Sequence, residues 1–495
     1  MKRRTMGRAA WPLVALGLGA GVVIGASCDG DSQDHVPGTV VTSGGAAGTG
    51  GGTGGTGGMT DAGAEEDADA GCPEVRAFPG AEGFGSSTPG GRGGQVIEVT
   101  TLDADATGGL REALDATGPR IVVFRVGGTI QTNSVIRVRE PFVTIAGQTA
   151  PGDGITIRGA ALSISTHDVI VRGLRIRVGD DPNGPAGDNR DGLAINNEFE
   201  PPHDIIADHC SVSWAIDENI QLWYPAHDVT VQWSITSEAL HDSLHTKGPH
   251  SMGFLIGPGG HHISVHHNLF AHNNARNPLF SDDTSSEIVN NVMYDWGGAA
   301  TGLSNCHSNT PSFSNVIGNY YEMGNSSSSD WPVRIGDCWL DGKVFLSGNI
   351  GPRRPTDTGD EWLLANNAAG DQVRSDVPAV EPTGITTQSA TEAYDLVLDN
   401  AGAIAPNRDA IDQRVVQSVR DGTGQIIDSQ DDVGGWLAFA DGTPPTDTDH
   451  DGMPDDWETS QGLDPDDPAD ANATTPCGYT WVEEYINSLI PAPSP

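Results

Sequence analysis

Three groups of side chains in this 495-residue sequence have the types and spacing to do chemistry. Asp188 and Asp191 close a polar loop over residues 179–190, and Asp217 and Glu218 follow a strand-like segment. Arg276 stands just before Pro278, with His245 and Lys247 in the stretch upstream. Carboxylates gathered in this way suit a hard cation, which takes several oxygen ligands. A fourth group lies near the end of the chain. Asp447, Asp449, Asp451, Met453 (through its carbonyl), Asp455 and Glu458 occupy positions 1, 3, 5, 7, 9 and 12 of an EF-hand loop, with Gly452 at 6. A second loop around Gly478 has Ala473, Thr475 and Cys477 at its first ligand positions and is not expected to hold an ion. One competent loop with a degenerate partner reads as a structural calcium clamp.

The first three groups are far apart in sequence, so other elements must bring them together. His167-Asp168-Val169-Ile170-Val171 recurs at His203, at His227 and, with histidine in place of aspartate, at His261. Asparagine recurs at Asn268, Asn291, Asn319 and Asn349, and these repeats are 23 to 36 residues apart. Each copy is too short to bury its own apolar face, so the copies must stack. Asparagines at equivalent turns can then bond to their neighbours above and below. The predicted architecture is all-β, a parallel β-helix, with a small C-terminal EF-hand-like module. In such a solenoid equivalent positions lie roughly 5 Å apart, close enough for carboxylates of successive coils to share one ion. Asp208 and His209, on one of the strands, are expected to be a buried structural pair.

Composition narrows the function classes. The formal charge is −41, with 67 acidic against 26 basic residues, which excludes nucleic acid as a partner and suits a cation-binding protein. Residues 1–27 have a basic start, an apolar stretch and a small-residue end before Cys28, the pattern of a secretory signal, resembling the lipoprotein type in which Cys28 carries lipid. The membrane is expected as a partner only through that anchor. Residues 28–71 are Gly, Thr and Ala with a late acidic run and form a flexible tether. The β-helix is assigned to 72–440 and the EF-hand-like module to 441–495. Cys306 and Cys338 are the expected disulfide, Cys72 and Cys477 could tie the ends, and Cys210 is read as a buried thiol.

The runs AFPGAEGFG, VTIAGQTAPGDGI, IIADHCSVSWAIDENI and HHNLFAHNNARNP resemble the pectate lyases of polysaccharide lyase family 1. That resemblance implies a right-handed parallel β-helix (solenoid) that cleaves polygalacturonate by β-elimination with Ca2+. It places Asp191 and Asp217 on calcium-binding carboxylates and Arg276 on the arginine that takes the proton. Glu218 and Asp188 are further candidate ligands, and Lys247 and Arg276 candidate substrate-binding residues. Gln221 stands where a calcium carboxylate is usual, and Ser281 where a second arginine is usual. Arginine is normally always protonated, so Arg276 could instead neutralise the substrate carboxylate while His245 or Lys247 takes the proton. Two other functions stay open. A hydrolase would need paired carboxylates, for which Asp180-Asp181 and Asp282-Asp283 are the adjacent pairs. The other is a non-catalytic surface protein that binds carbohydrate. The expected protein is a secreted or bacterial cell-surface monomer acting on an acidic polysaccharide.

Overall fold

The computed structural model describes residues 74–493 apart from 309 and 340. The segments assigned to 1–27 and 28–71, with Cys28, and Cys72 lie outside the described residues. The chain visits three faces in turn. His203–Asp208 is followed by Ser211–Ser213, then Glu218–Trp223, before His227–Gln232 returns to the first face. Neighbouring strands pair in parallel, and among the described residues the faces form sheets of eleven, eight and nine strands, here the first, second and third. The fold is a parallel β-helix.

Alternation decides which side chains fill it. Ile205 and Ala207, Val229 and Val231, and Ile263 and Val265 point inward and are fully buried or nearly so. Each such valine or isoleucine contributes about 1.5–3 kcal/mol through area removed from water. At the amino-terminal end the short helix Leu110–Asp115 inserts Leu110 and Leu114 into the same core beside Val122 and Ile136.

The corners explain the repeats. Asp168, Asp204 and Asp228 adopt left-handed φ of 54°, 52° and 54°, a region that aspartate tolerates better than most residues. Each accepts a 2.7 Å hydrogen bond from the preceding histidine's Nδ1. The histidine rings of successive coils then stack at 4.7 and 4.9 Å. The corner between the first and second sheets uses another left-handed residue (His209, Trp233, His267, Asn290), followed by a side chain that satisfies the neighbouring coil. The Nδ2 of Asn268 donates to Asn291 Oδ1, Asn291 to Asn319 and Asn319 to Asn349, each at 3.0 Å. The same oxygens accept backbone amides, and the amides of Asn291 and Asn319 also reach the carbonyls of Val265 and Ile288.

The last strand is Arg374–Ser375, well before residue 440. Beyond it, helices Ala390–Asn400 and Ala410–Asp421 lay Val397, Leu398, Val415 and Val419 over Ile235, Leu269 and Val292 of the second sheet. The sequence reading missed them, although Ser389 with Glu392 forms a capping box and Asp409 caps the second helix. The carboxy-terminal module (helices Asp455–Gln461 and Trp481–Ser488) packs Met453, Val482 and Ile486 on Ile121, Val123 and Ala146, outside the first sheet. Cys306 and Cys338 form a disulfide with Cα atoms 5.5 Å apart. Cys477 is disulfide-bonded. Cys210 is free, and burial pushes its thiol up to about 12.

Asn291→Ala leaves the Asn268 backbone N–H buried without its partner and removes the side-chain bond to the Val265 carbonyl. It is expected to cost about 2 kcal/mol of stability, from one orphaned group at about 1–3 kcal/mol. Denaturant unfolding with the native slope and a lowered midpoint is the expected result; an unchanged midpoint would remove the ladder from the account.

Candidate active site and cation sites

The site lies where strands of the third sheet begin. Asp191 precedes Leu193–Asn196, Asp217 precedes Glu218–Trp223, His250 precedes Met252–Ile256, and Arg276 precedes Leu279–Ser281. Two sets of bonds hold these positions in place. The Arg190 guanidinium folds the 179–190 loop back by donating to the carbonyls of Gly179, Asp181 and Pro185. The Arg190 carbonyl accepts the amides of Ile216 and Asp217 at 3.0 and 3.3 Å, fixing Asp191 and Asp217 one coil apart. A second asparagine ladder does the same for Glu218 and Arg276. Asn219 donates to Asn273 at 3.1 Å and Asn273 to Asn277 at 3.0 Å, so the immediate neighbours of Glu218 and Arg276 share one buried network.

Ligand oxygens of Asp191, Asp217 and Glu218 all lie within 4.8 Å of one another. Arg276 forms an ion pair with Glu218. Three carboxylates against one guanidinium leave negative charge in excess. Burial, and then Asp217, push the Asp191 carboxyl well above its ordinary value, against the pull of Arg276. Oxygen donors, burial and uncompensated charge together fit a hard divalent cation.

His245 and His250 back this cluster with rings stacked at 3.9 Å, their Nε2 atoms 3.4 and 3.0 Å from Asp217 Oδ1. The Lys247 backbone N–H donates to His245 Nδ1 at 3.1 Å, so the proton of the neutral ring sits on Nε2, facing Asp217. Burial, and then His250, hold the His245 pKa below its ordinary value. Both of its nitrogens are engaged. Asp188 lies outside the carboxylate cluster. It accepts the Thr246 hydroxyl and the Thr246 amide (2.7 Å), bonds that lower its pKa. The Lys247 residue is exposed at the rim. Gln221 donates to Glu218 at 3.4 Å and accepts from Asn196 at 3.2 Å. His250 was not singled out from the sequence, although its place in the His245 loop was a usable signal.

The adjacent acidic pairs do not line this site. Asp282 is fully buried and accepts the amides of His307 and Ser308 at 2.7 and 2.6 Å. Asp180 accepts from Gln430 and Asp181 from Asn183. Asp208 and His209 form the expected buried pair. Burial opposes ionisation of Asp208, but His209, Arg172 and Gln232 outweigh it and hold its carboxyl well below the ordinary value.

The C-terminal loop is a second carboxylate cluster. Asp447, Asp449 and Asp451 converge, and Asp451 converges with Glu458 and Asp470. Glu458 is fully buried with both oxygens unpartnered, as are both oxygens of Asp449 and one each of Asp447, Asp451 and Asp470. Gly452 supplies the turn with φ 94°, and its amide donates to Asp447 at 3.2 Å. The Met453 side chain sits in the module core, so only its carbonyl is a ligand candidate. Asp455 is turned away, accepting the amide and hydroxyl of Thr448 at 2.8 Å each. Asp470, which sequence spacing did not reach, joins the cluster.

A probable pectate lyase C of Aspergillus terreus is 39% identical over 424 residues, covering 84% of this chain and 94% of that protein. This chain belongs to the pectate lyase family. It is thus a polysaccharide lyase. A probable pectate lyase C of Emericella nidulans is 38% identical over 418 residues, covering 84% of this chain and 93% of that protein. A solved thermostable pectate lyase is 15% identical with TM-score 0.50, covering 65% of this chain and 97% of its own, a likeness of fold. No family model matches the chain.

In this member of the pectate lyase family the carboxyls gathered in the C-terminal cluster are expected to make stability depend on pH and on a cation added to it. Burial, and then neighbouring carboxylates, push Asp451 up to about 7 and Glu458 up to about 8. Carboxyls with raised folded values bind protons more tightly when folded, so stability falls as pH rises through about 4 to 8. In chelator, calorimetry is expected to give a melting temperature that declines over that range. Calcium is expected to add more at about pH 8 than at about pH 5, and Asp470→Asn to shrink that increment. An increment independent of pH and of Asp470 would disprove the site.

Proposed function

We propose that this chain is an exported, calcium-dependent pectate lyase that cleaves polygalacturonate, or a related uronate polymer, by β-elimination. The observation that carries the reading is the convergence of Asp191, Asp217 and Glu218 with Arg276 at the head of the third sheet. Asp191, Asp217 and Glu218 would hold calcium, which when bound draws electron density from the substrate carboxylate and makes the adjacent C–H more acidic.

The chain's own residues do the rest. Arg276 has a planar donor fork matched to a carboxylate, and its left-handed φ of 61° is uncommon for a bulky residue. It orients the uronate and, in its neutral form with its own proton given up to water, takes the proton from C5. The C4–O bond then breaks, a C4–C5 double bond forms, and the departing oxygen takes a proton from water. His245 and His250 position Asp217. One observation favours a second assignment of the base. Arg276 is paired with Glu218, and a guanidinium is normally always protonated, a state suited to neutralising the substrate carboxylate while Lys247 Nζ takes the proton.

Two further assignments accompany this reading. The C-terminal loop would hold a structural calcium through Asp447, Asp449, Asp451, Glu458 and Asp470, with the Met453 carbonyl. Export is supported by the basic and apolar start before Cys28 and by the Cys306–Cys338 disulfide, which suits an oxidising compartment.

Incubation with polygalacturonate at mildly alkaline pH is expected to yield 4,5-unsaturated ends that absorb in the ultraviolet, only with calcium. New reducing ends without that absorbance would sink the lyase mechanism. Arg276→Lys is expected to lose about two to four decades in rate. A loss under about tenfold, with a larger one for Lys247→Ala, would move the base to Lys247.

A further inference from the structure

Parallel register places outward side chains of the third sheet in rows, one residue per coil. One row starts at Arg137, crosses two small residues to Gln221, Leu255 and Leu279, and continues through Gly302 to Arg334 and then Asn366. These residues face out because the residues flanking them on their strands, such as Ile136 and Val138, Ile220 and Leu222, and Val333 and Ile335, are buried in the core. The middle of the row is a low floor. Leu255 is 5% exposed, and a Cβ at Gly302 would come within 2.4 Å of the Leu279 side chain, which leans over it. The positions flanking that floor are different, because Arg137 and Arg334 are both exposed.

The row joins the site directly, since Gln221 donates to Glu218 at 3.4 Å. With strands roughly 4.8 Å apart, Arg334 lies two coils, about 10 Å, beyond the strand that Arg276 precedes, and Arg137 three coils, about 14 Å, before Gln221. One coil is comparable in length to one pyranose unit, so a linear polymer running across the strands meets one row position per sugar. The charge pattern points to the same occupant. The chain has 67 acidic against 26 basic residues, yet no position of this row is acidic and a cation stands on each side of its low middle. Among the described residues Arg137 bonds to the Ser163 hydroxyl alone, and Arg334 forms no ion pair with a carboxylate. The exposed cations of this row are matched to a polyanion rather than to the chain's own acids.

We propose that Arg334 and Arg137 are the outer uronate-binding positions of this site, holding carboxylates of the polymer several sugars away from the bond that breaks. The assignment rests on the reading of the substrate as a uronate polymer. Binding that far from the reacting bond is felt only by substrates long enough to reach it, which sets specificity for chain length.

The test compares trigalacturonate with octagalacturonate on native chain, Arg334→Ala and Arg137→Ala. Each variant is expected to lose about tenfold in kcat/KM on the octamer, through KM, and to stay within about twofold on the trimer. Both side chains are exposed, so the melting temperature is expected to hold. Equal losses on both lengths, no loss on the octamer, or a loss confined to kcat would overturn the proposal. Calorimetric titration with octagalacturonate separates the two levels of argument. Binding weakened by Arg334→Ala supports the row even if the native chain leaves the polymer intact, an outcome that would sink only the lyase reading. Binding unaffected by either variant, or absent in the native chain, removes the row.

Discussion

Each coil of this molecule must turn three corners without leaving a buried backbone amide unsatisfied, and its other features follow from how that is done. Buried backbone groups need partners, and at these corners side chains repeated at the coil spacing supply part of them. Asn268, Asn291, Asn319 and Asn349 meet the requirement between the first and second sheets. Asn219, Asn273 and Asn277 meet it between the second and third. The second network matters more for chemistry, because Asn219 follows Glu218 and Asn277 follows Arg276. The hydrogen bonds that allow the chain to turn there also set the separation of the groups that act on substrate.

Buried carboxylates fall into two kinds, and the difference separates scaffold from site. Asp208, Asp409 and Glu238 are each met by arginine, from Arg172, Arg177 and Arg414. Removing one member of such a pair strands a charge in low dielectric, so these are commitments of the fold. Asp191, Asp451 and Glu458 lie instead among like charges, and their carboxyls are pushed upward. Folding has gathered acid there without gathering base to match. In a chain with this excess of acid, exposed carboxylates say little about function, whereas buried unpartnered ones mark where a cation fits.

What could be read in the sequence was what repeats. The His-Asp corners and the asparagine ladder recur at coil spacing, so periodicity alone led to a parallel β-helix, and the loop from Asp447 to Glu458 is local enough for its spacing to be informative. What could not be read depends on contacts between distant segments. Asp470 joins Asp451 and Glu458 through a turn that no loop pattern includes, while Asp455, correctly spaced, is taken by Thr448. His250 reaches Asp217 only because coils stack. The helices over the second sheet have caps visible in sequence, but the Gly- and Asp-rich stretches around them look like loop.

The packing of the last module on the first strands has a kinetic side. Arg92 pairs with Glu483 across 391 residues, and Gln148 donates to the Ile486 carbonyl across 338. Contacts of such span close a loop the size of the whole solenoid, the kind of topology that folds slowly. Coils can pair with their neighbours as they emerge, but the outer face of Ile121 and Val123 stays bare until the final helix, Trp481–Ser488, is made. A chain handed unfolded across a membrane would therefore finish its fold only after its carboxy-terminus had crossed. An incomplete chain would carry an exposed apolar strip on its first strands, a mark by which a protease could tell it from a finished one.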